Sequence, residues 1–325
     1  MKNILVIGGG GYVGVELVKE LLNKNFKVKI LDIFIYGQNF LPEHKNLIKI
    51  IGDIRNTDIL ETSLKDIDEV IHLACISNDP SFELNPVLGK SINLDSFEPF
   101  VKKCIKAKVK KIIYASSSSV YGLSDKKNVT EEHKTLPLTD YSKFKLECEN
   151  ILQKYKKEID WTIIRPSTVC GYSERQRFDL VVNILTNFAY HKNEIQIFGG
   201  DQLRPNIHIK DMIKSYLTVI NANRDLINHQ VFNVGFENKS LNELAEIVKK
   251  EFNSNLTIKK IKSDDIRSYH VSSEKIVKQL GFKCDYNISD AVGDLITAFK
   301  NKKFINPLTN ENYFNIKKMQ SINLK

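Results

Sequence analysis

No apolar run in this chain approaches the ~20 residues that span a bilayer, so the reading excludes a helical membrane protein. The opening residues Met1-Lys2 and Ile4–Ile7 imitate the start of a secretory leader. The apolar part ends at Gly8–Gly11, and no small-residue cleavage pattern follows. That is too short for a leader core, and a cytoplasmic protein is expected. Cysteine is sparse: Cys75, Cys104, Cys148, Cys170 and Cys284 are odd in number, widely spaced, and form no CxxC or Cys/His cluster. Neither a disulfide framework nor a metal site is indicated. The net charge is +9, yet there is no basic tail or arginine-rich stripe. Lysines are scattered, and pairs such as Lys102-Lys103, Lys110-Lys111 and Lys126-Lys127 sit among polar or acidic residues. This pattern reads as a solvated surface, with neither nucleic acid nor membrane as a partner; the positive field suits an anionic substrate. Internal repeats and low-complexity segments are also missing.

What is present is an ordinary globular composition, 42% hydrophobic and 27% charged over 325 residues. The first two-thirds alternates strand-like and helix-like segments. Strands are predicted at Asn3–Ile7, Lys27–Asp32, Leu47–Ile51, Glu69–Leu73, Lys111–Ala115 and Trp161–Arg165. Between the first two, Val13, Leu17 and Leu21, with Val18 and Leu22, recur at helical spacing and give one apolar face. Strands apolar throughout, such as Ile4-Leu5-Val6-Ile7, fit a parallel sheet covered on both faces. After Arg165 the rhythm becomes irregular, with helices at Asp211–Ala222 and Leu241–Phe252 and strands at Val231–Val234 and Leu256–Ile261. The expected fold is α/β: a Rossmann-type doubly wound parallel sheet over residues 1–165, and a smaller α/β substrate-binding domain over 166–325. Some segments of the second part should return to the first. The residues from about Pro307 are loosely patterned and carry no functional expectation.

Residues 8–14 read Gly8-Gly9-Gly10-Gly11-Tyr12-Val13-Gly14, with Gly8, Gly11 and Gly14 spaced as GxxGxxG. The loop follows a buried strand and opens an amphipathic helix. A backbone that must turn tightly and approach a diphosphate closely has no room for a Cβ, and the helix N-terminus offers unpaired N–H groups to the phosphates. Asp32 ends the second strand, 18 residues beyond Gly14. A carboxylate there accepts both ribose hydroxyls and repels a 2′-phosphate, which favours NAD over NADP. Asp53, in Gly52-Asp53-Ile54-Arg55, follows the third strand and faces the same crevice, where it could accept the adenine amino group.

Tyr141 and Lys145 lie four apart in a segment free of Gly and Pro, so they share one helix face. An ammonium near a phenol lowers its pKa toward neutrality and makes Tyr141 a general base. Two dozen residues earlier, the strand Lys111–Ala115 runs into Ser116-Ser117-Ser118-Ser119-Val120-Tyr121-Gly122. Hydroxyls at the end of a central parallel strand face the ligand crevice. A serine there can orient the hydroxyl from which Tyr141 takes a proton.

These features together resemble the extended short-chain dehydrogenase/reductases of the NAD-dependent epimerase/dehydratase family. Further landmarks are Val70-Ile71-His72-Leu73-Ala74, Asn93, Arg165-Pro166, Arg204-Pro205-Asn206-Ile207-His208-Ile209-Lys210-Asp211 and Asp265-Ile266-Arg267. The resemblance implies a catalytic set of Ser117, Tyr141 and Lys145. It implies cofactor contacts from Gly8, Gly11, Tyr12, Val13, Gly14, Asp32, Asp53, Ile54, Leu73, Ala74, Asn93, Ser116, Tyr141, Lys145 and Pro166. Substrate contacts are expected from Ser118, Ser119, Ser167, Arg177, Phe178, Asn183, Arg204 and Arg267, with Arg204 and Arg267 clamping a diphosphate. His208 is read as structural. Ile7 replaces the Thr usual before the first glycine, and Cys75 stands where a second alanine is common. Family members commonly pair through two helices per subunit, here near Ser96–Lys106 and Tyr141–Lys154, so a homodimer is expected.

The family oxidises a sugar hydroxyl, usually at C4, by hydride transfer to NAD. Its 4,6-dehydratases carry an Asp-Glu or similar acid just before Val-Tyr-Gly, where this chain has Ser118-Ser119. A nucleotide-sugar 4-epimerase is therefore the leading expectation. Ile76-Ser77-Asn78-Asp79-Pro80 and Arg177–Asn183 also resemble a bacterial branch, some of whose members oxidise C4 of GDP-heptoses for surface polysaccharides. An oxidoreductase releasing a 4-keto sugar is thus the alternative. A non-catalytic sensor on the same fold is disfavoured, because Ser117, Tyr141 and Lys145 all survive.

Overall fold

The structure is a computed structural model, and it describes residues 2–77, 79–124, 128–252, 256–263, 268 and 270–322. Its strands are β1 (Asn3–Ile7), β2 (Lys27–Asp32), β3 (Leu47–Ile51), β4 (Glu69–His72), β5 (Lys111–Ala115), β6 (Asp160–Pro166), β7 (Thr168–Cys170), β8 (Glu194–Phe198), β9 (Leu203–His208), β10 (Gln230–Val234), β11 (Glu237–Ser240) and β12 (Thr257–Ile261). Seven of them form one sheet in the order β10-β6-β5-β4-β1-β2-β3. Every pairing in it is parallel. The chain winds outward from β1 to β3 and then crosses back to β4 on the other side of β1. The switch point therefore lies between β1 and β4, where a crevice opens at the carboxyl ends of the strands.

The period-2 pattern of the strands builds both cores. Ile4 and Val6 point to one face with Ile30, Ile71, Ile113 and Ile164. Leu5 and Ile7 point to the other with Leu31, Val70, Ile112 and Ile163. The first face is covered by helix Tyr12–Asn23, through Val15, Leu17, Val18 and Leu21, and by helix Ile209–Asn221, through Met212, Tyr216 and Val219. The second is covered by helices Phe97–Lys106 and Asp140–Lys154. Each fully buried Leu or Val contributes about 1.5–3 kcal/mol. Asp140–Lys154 starts cleanly because the Thr139 hydroxyl accepts from the Ser142 N–H while the Ser142 hydroxyl returns to the Thr139 backbone, a reciprocal cap.

Residues after Pro166 build two smaller sheets, β11-β9-β7 and β12-β8. They share a third core of Val182, Leu185, Ile195, Leu244, Val248 and Val292. β10, from the same half of the chain, pairs with β6 and extends the large sheet. The tail is more ordered than its sequence pattern suggests. Phe178, Phe299, Phe304 and Tyr313 form an aromatic cluster, and helix Asn315–Ile322 follows it. Among the described residues no helix is long and apolar enough to cross a membrane.

One buried ion pair ties β6 to helix Asp140–Lys154. Arg165 on β6 donates to both carboxylate oxygens of Glu149, at 3.0 and 2.6 Å. The same guanidinium donates to the Tyr121 hydroxyl, which donates on to Asn233. Glu149 also accepts from the Ser116 hydroxyl. Both partners are buried, and burial is costly unless every donor and acceptor is matched, as here. Glu149→Ala strands the guanidinium of Arg165. It is expected to cost about 3–5 kcal/mol, read as a lower urea midpoint at unchanged slope, while Glu149→Gln costs less.

Candidate active site

A cleft of about 470 Å³ lies at the switch point. One half is lined by Gly8, Gly11, Tyr12, Val13 and Gly14 from the glycine loop, with Asp32, Asp53, Ile54, Leu73 and Ala74 from the ends of the neighbouring strands. The cradle is one that only glycine can form. A Cβ on Gly14 would lie 2.3 Å from the Gly8 carbonyl oxygen, and one on Gly8, whose φ is +86°, would lie 2.5 Å from the Ala74 nitrogen. A Cβ on Gly11 would meet nothing closer than 3.4 Å, so this residue keeps the cleft open rather than relieving a clash. Ile7 has no side-chain hydroxyl to offer. Its carbonyl oxygen instead accepts from Leu73 and Ala74, at 2.8 and 3.0 Å, and joins the ends of β1 and β4. This cradle, with an acid beside it, fits a dinucleotide.

Asp32 is fixed by the N–H groups of Gly10 and Phe34, at 2.9 and 2.7 Å. Burial raises its carboxyl above the usual range, against those two hydrogen bonds. Asp53 lines the same half and is paired with Arg55 at 2.7 Å. Burial works against its charge, but the hydrogen bonds from Arg55 prevail and hold the carboxyl below its ordinary value.

The other half of the cleft is lined by Ser116, Ser117, Ser118, Ser119, Tyr141, Pro166, Ser167, Arg177 and Arg204. Ser117 follows the end of β5, where its hydroxyl oxygen accepts from the backbone and the hydroxyl of Ser119, at 3.1 and 2.8 Å. Ser117 and Tyr141 line the same part of the cleft, and the Ser117 hydroxyl favours the Tyr141 phenolate. Ser116 lines the cleft, but its hydroxyl is turned to Glu149 and anchors the turn. Lys145 is buried. Its ammonium donates to the Ala115 carbonyl at 2.7 Å and sits 5.0 Å from the Tyr114 ring and 5.8 Å from the Tyr141 ring. The expected lowering of the Tyr141 pKa is not what this structure gives. Burial raises it well above the ordinary 10.0, Cys75 and Asp79 add to the rise, and Arg177 and Ser117 oppose it.

Three expectations for side chains facing the cleft are corrected. Asn93 does not line it; its amide accepts from the Ile76 N–H and donates to the Ile76 carbonyl, at 2.8 and 2.9 Å, so it braces the loop after β4. Asn183 is fully buried, accepting from Gly171 and donating to Tyr12 and the Arg177 carbonyl. Phe178 belongs to the aromatic cluster and is also fully buried. Arg267 lies outside the described residues. His208 caps helix Ile209–Asn221, accepting from Lys210, and stacks on Tyr286. Its placement is structural.

Sequence reasoning missed several lining residues: Tyr36, Ser77, Asp79, Arg175, Asn315 and Met319. Ser77 and Asp79 lay inside a segment already noted, and Arg175 lies beside Arg177 in a polar run between strand and helix. Nothing in the tail sequence signals Asn315 or Met319, because their placement depends on tertiary docking.

Two expectations follow. Asp32→Ala should weaken NAD by about tenfold or more, the worth of a charged hydrogen bond, and narrow any preference over NADP; an unchanged ratio of the two affinities would remove Asp32 from ribose recognition. For Tyr141, the folded state favours the neutral phenol, so its ionisation is displaced to higher pH. A tyrosinate absorbance titration of the protein minus that of Tyr141→Phe should show a step above pH 10.0 and none near neutrality.

Comparison with known proteins gives this geometry a family. Residues 4–235 match the NAD dependent epimerase/dehydratase family. The UDP-glucose 4-epimerase of Lactobacillus helveticus is 27% identical over 320 residues, covering 91% of this chain and 96% of that protein. The solved UDP-N-acetylglucosamine 4-epimerase from Methanobrevibacter ruminantium, in complex with UDP-N-acetylmuramic acid, superposes with a TM-score of 0.84 at 26% identity, covering 93% of this chain and 99% of the other. The UDP-glucuronic acid 4-epimerase from Bacillus cereus, in complex with UDP-glucuronic acid and NAD, gives 0.84 at 27% identity, covering 92% and 99%. The chain is an enzyme of the NAD dependent epimerase/dehydratase family, with NAD as its cofactor.

Proposed function

We propose that this enzyme is a nucleotide-sugar 4-epimerase that works by transient oxidation at C4. The observation that carries the reading is that Ser117 and Tyr141 line the same half of the cleft, with no carboxylate at 118 or 119. Bound NAD supplies the hydride acceptor and, on the return, the hydride donor. The glycine loop, Asp32, Asp53 and the backbone of Leu73 and Ala74 hold it. Tyr141 takes the proton of the C4 hydroxyl and gives it back. Ser117 hydrogen-bonds the same oxygen and fixes its direction. The positive charges of Lys145 and Arg177 favour the phenolate at the moment of transfer, against the burial that keeps it protonated at rest. Ser118, Ser119 and Ser167 line the sugar, and Arg204 meets the diphosphate. Without an acid beside Val120-Tyr121-Gly122 the 4-keto sugar is not driven to eliminate water. It turns over and is reduced on its other face. The same reading takes the enzyme to be a cytoplasmic homodimer pairing through helices Phe97–Lys106 and Asp140–Lys154, on the strength of the family resemblance.

A screen of UDP-, GDP-, CDP- and dTDP-sugars with NMR of the products tests the reaction. Inversion at C4 is the expected result. Release of a 4-keto sugar would replace the epimerase by a C4 oxidoreductase, for example on a GDP-heptose, and loss of the 6-hydroxyl would make it a dehydratase. On the competent substrate Tyr141→Phe should lower turnover by about a hundred- to ten-thousand-fold, and unchanged turnover would sink the assigned base.

A further inference from the structure

We propose that Arg175 is a diphosphate-binding residue of the dinucleotide site, held in place from the C-terminal tail by Asn315. The inference rests on the NAD cleft described above and adds to it a contact outside the glycine loop.

Arg175 lines the cleft and is only 2% exposed. Its guanidinium lies 3.4 Å over the Tyr36 ring, and one terminal nitrogen donates to the Asn315 side-chain oxygen at 2.9 Å. The Tyr36 hydroxyl donates to that same oxygen, also at 2.9 Å. The plane of the guanidinium is therefore fixed by a stack on one face and a hydrogen bond at one edge. Its Nε is buried and has no hydrogen-bond partner among the described residues. Nor does any carboxylate among them pair with it directly. Of the acids nearest in sequence, Glu174 is paired with Lys19 and Asp179 with Arg177. Burial pushes the Arg175 pKa down, which is the signature of a cation without enough counter-charge. A cation kept buried in this way calls for an anion.

The position of the loop says which anion. Ser173 donates to the Tyr12 carbonyl at 2.9 Å, and the Glu174 N–H donates to Glu16 at 2.9 Å. The segment carrying Arg175 is thus tied to the first turn of helix Tyr12–Asn23, the turn whose N–H groups receive phosphates. Arg175 also feels the charge of Asp32, the ribose acid. Arg175, Asp32 and the glycine loop all line the one cleft. A planar guanidinium is the group that grips two phosphate oxygens at once. The ligand chemistry is the diphosphate of NAD, clamped between the glycine loop on one side and Arg175 on the other. Asn315 is a positioning residue: it orients Arg175 and Tyr36 together.

The test is affinity of the purified full chain, freed of co-purifying nucleotide, for NAD, ADP-ribose, adenosine and NADP, read by calorimetry. Arg175→Gln is expected to weaken NAD and ADP-ribose by about 10- to 100-fold, as for a lost charged hydrogen bond. Adenosine, which has no phosphate, should be unaffected. Arg175→Lys should recover part of the loss, and Asn315→Ala should show the same phosphate-selective pattern at smaller size. Equal loss for adenosine would reduce Arg175 to a structural role, and unchanged ADP-ribose affinity would overturn the proposal outright. A loss confined to NADP would assign the guanidinium to a 2′-phosphate and overturn it equally. Failure of the unsubstituted chain to bind NAD is a separate outcome that strikes the cofactor reading itself.

Discussion

The site depends on one close approach of backbone to backbone. Helix Tyr12–Asn23 begins so near the end of β1 that a Cβ on Gly14 would meet the Gly8 carbonyl oxygen at 2.3 Å. This contact sets the helix axis over the strand and aims its first turn at the cleft. Gly8 in turn lies against Ala74, and the Ile7 carbonyl accepts from both Leu73 and Ala74. The ends of β1 and β4, which flank the switch point, are locked to each other. Asn93 then clamps Ile76, and the order imposed by two glycines is handed on to the loop that carries Ser77 and Asp79 toward the sugar half.

The second half of the site is held by charge rather than by close packing. Ser117 follows β5 as the cap of the short 3-10 turn Ser118–Tyr121, its hydroxyl accepting from the Ser119 N–H. The turn is anchored through its neighbour, because the Ser116 hydroxyl is given to Glu149. Arg165 then fixes Glu149, and Tyr121 and Asn233 fix Arg165. A buried network of this kind adds little net stability when complete. What it provides is a single geometry, since any other arrangement strands a charge. The oxygen of Ser117 is placed by a salt bridge it does not touch.

Much of this was legible in the sequence for a physical reason. Glycines that admit no Cβ, an acid at a strand end and a Tyr–Lys pair one turn apart are local requirements, written in residue type and spacing. β1 to β5 were read almost to the residue, because each is a short Ile-, Val- or Leu-rich run bounded by Gly, Asp, Ser or Pro. Asn183 and Phe178 were misplaced because a polar or aromatic residue near a site looks the same whether it faces ligand or core. Both are fully buried, Asn183 spanning Gly171, Tyr12 and Arg177 across loops that no periodicity links. The lowering of the Tyr141 pKa failed for a related reason: helical spacing places Lys145 on the right face, but it does not report burial, and burial is the larger effect. The tail was unreadable because its order comes from an aromatic cluster whose members lie more than a hundred residues apart.

That tail changes how the cleft is understood as a unit. Asn315 bridges segments from both halves of the chain: it accepts from Tyr36 and Arg175, donates to Ser77, and its backbone N–H reaches Asp179. One turn further, Met319 packs with Ile76, Phe82 and Tyr141. A single short helix therefore touches two parts of the cleft lining, through Tyr36 and through Tyr141. Displacing it would remove an acceptor from a buried guanidinium and open the packing around the phenol in one movement. The two halves of the cleft do not tolerate change independently. Any drift in the tail must satisfy Arg175 and Tyr141 together, which makes this loosely patterned segment as constrained as the glycine loop it faces.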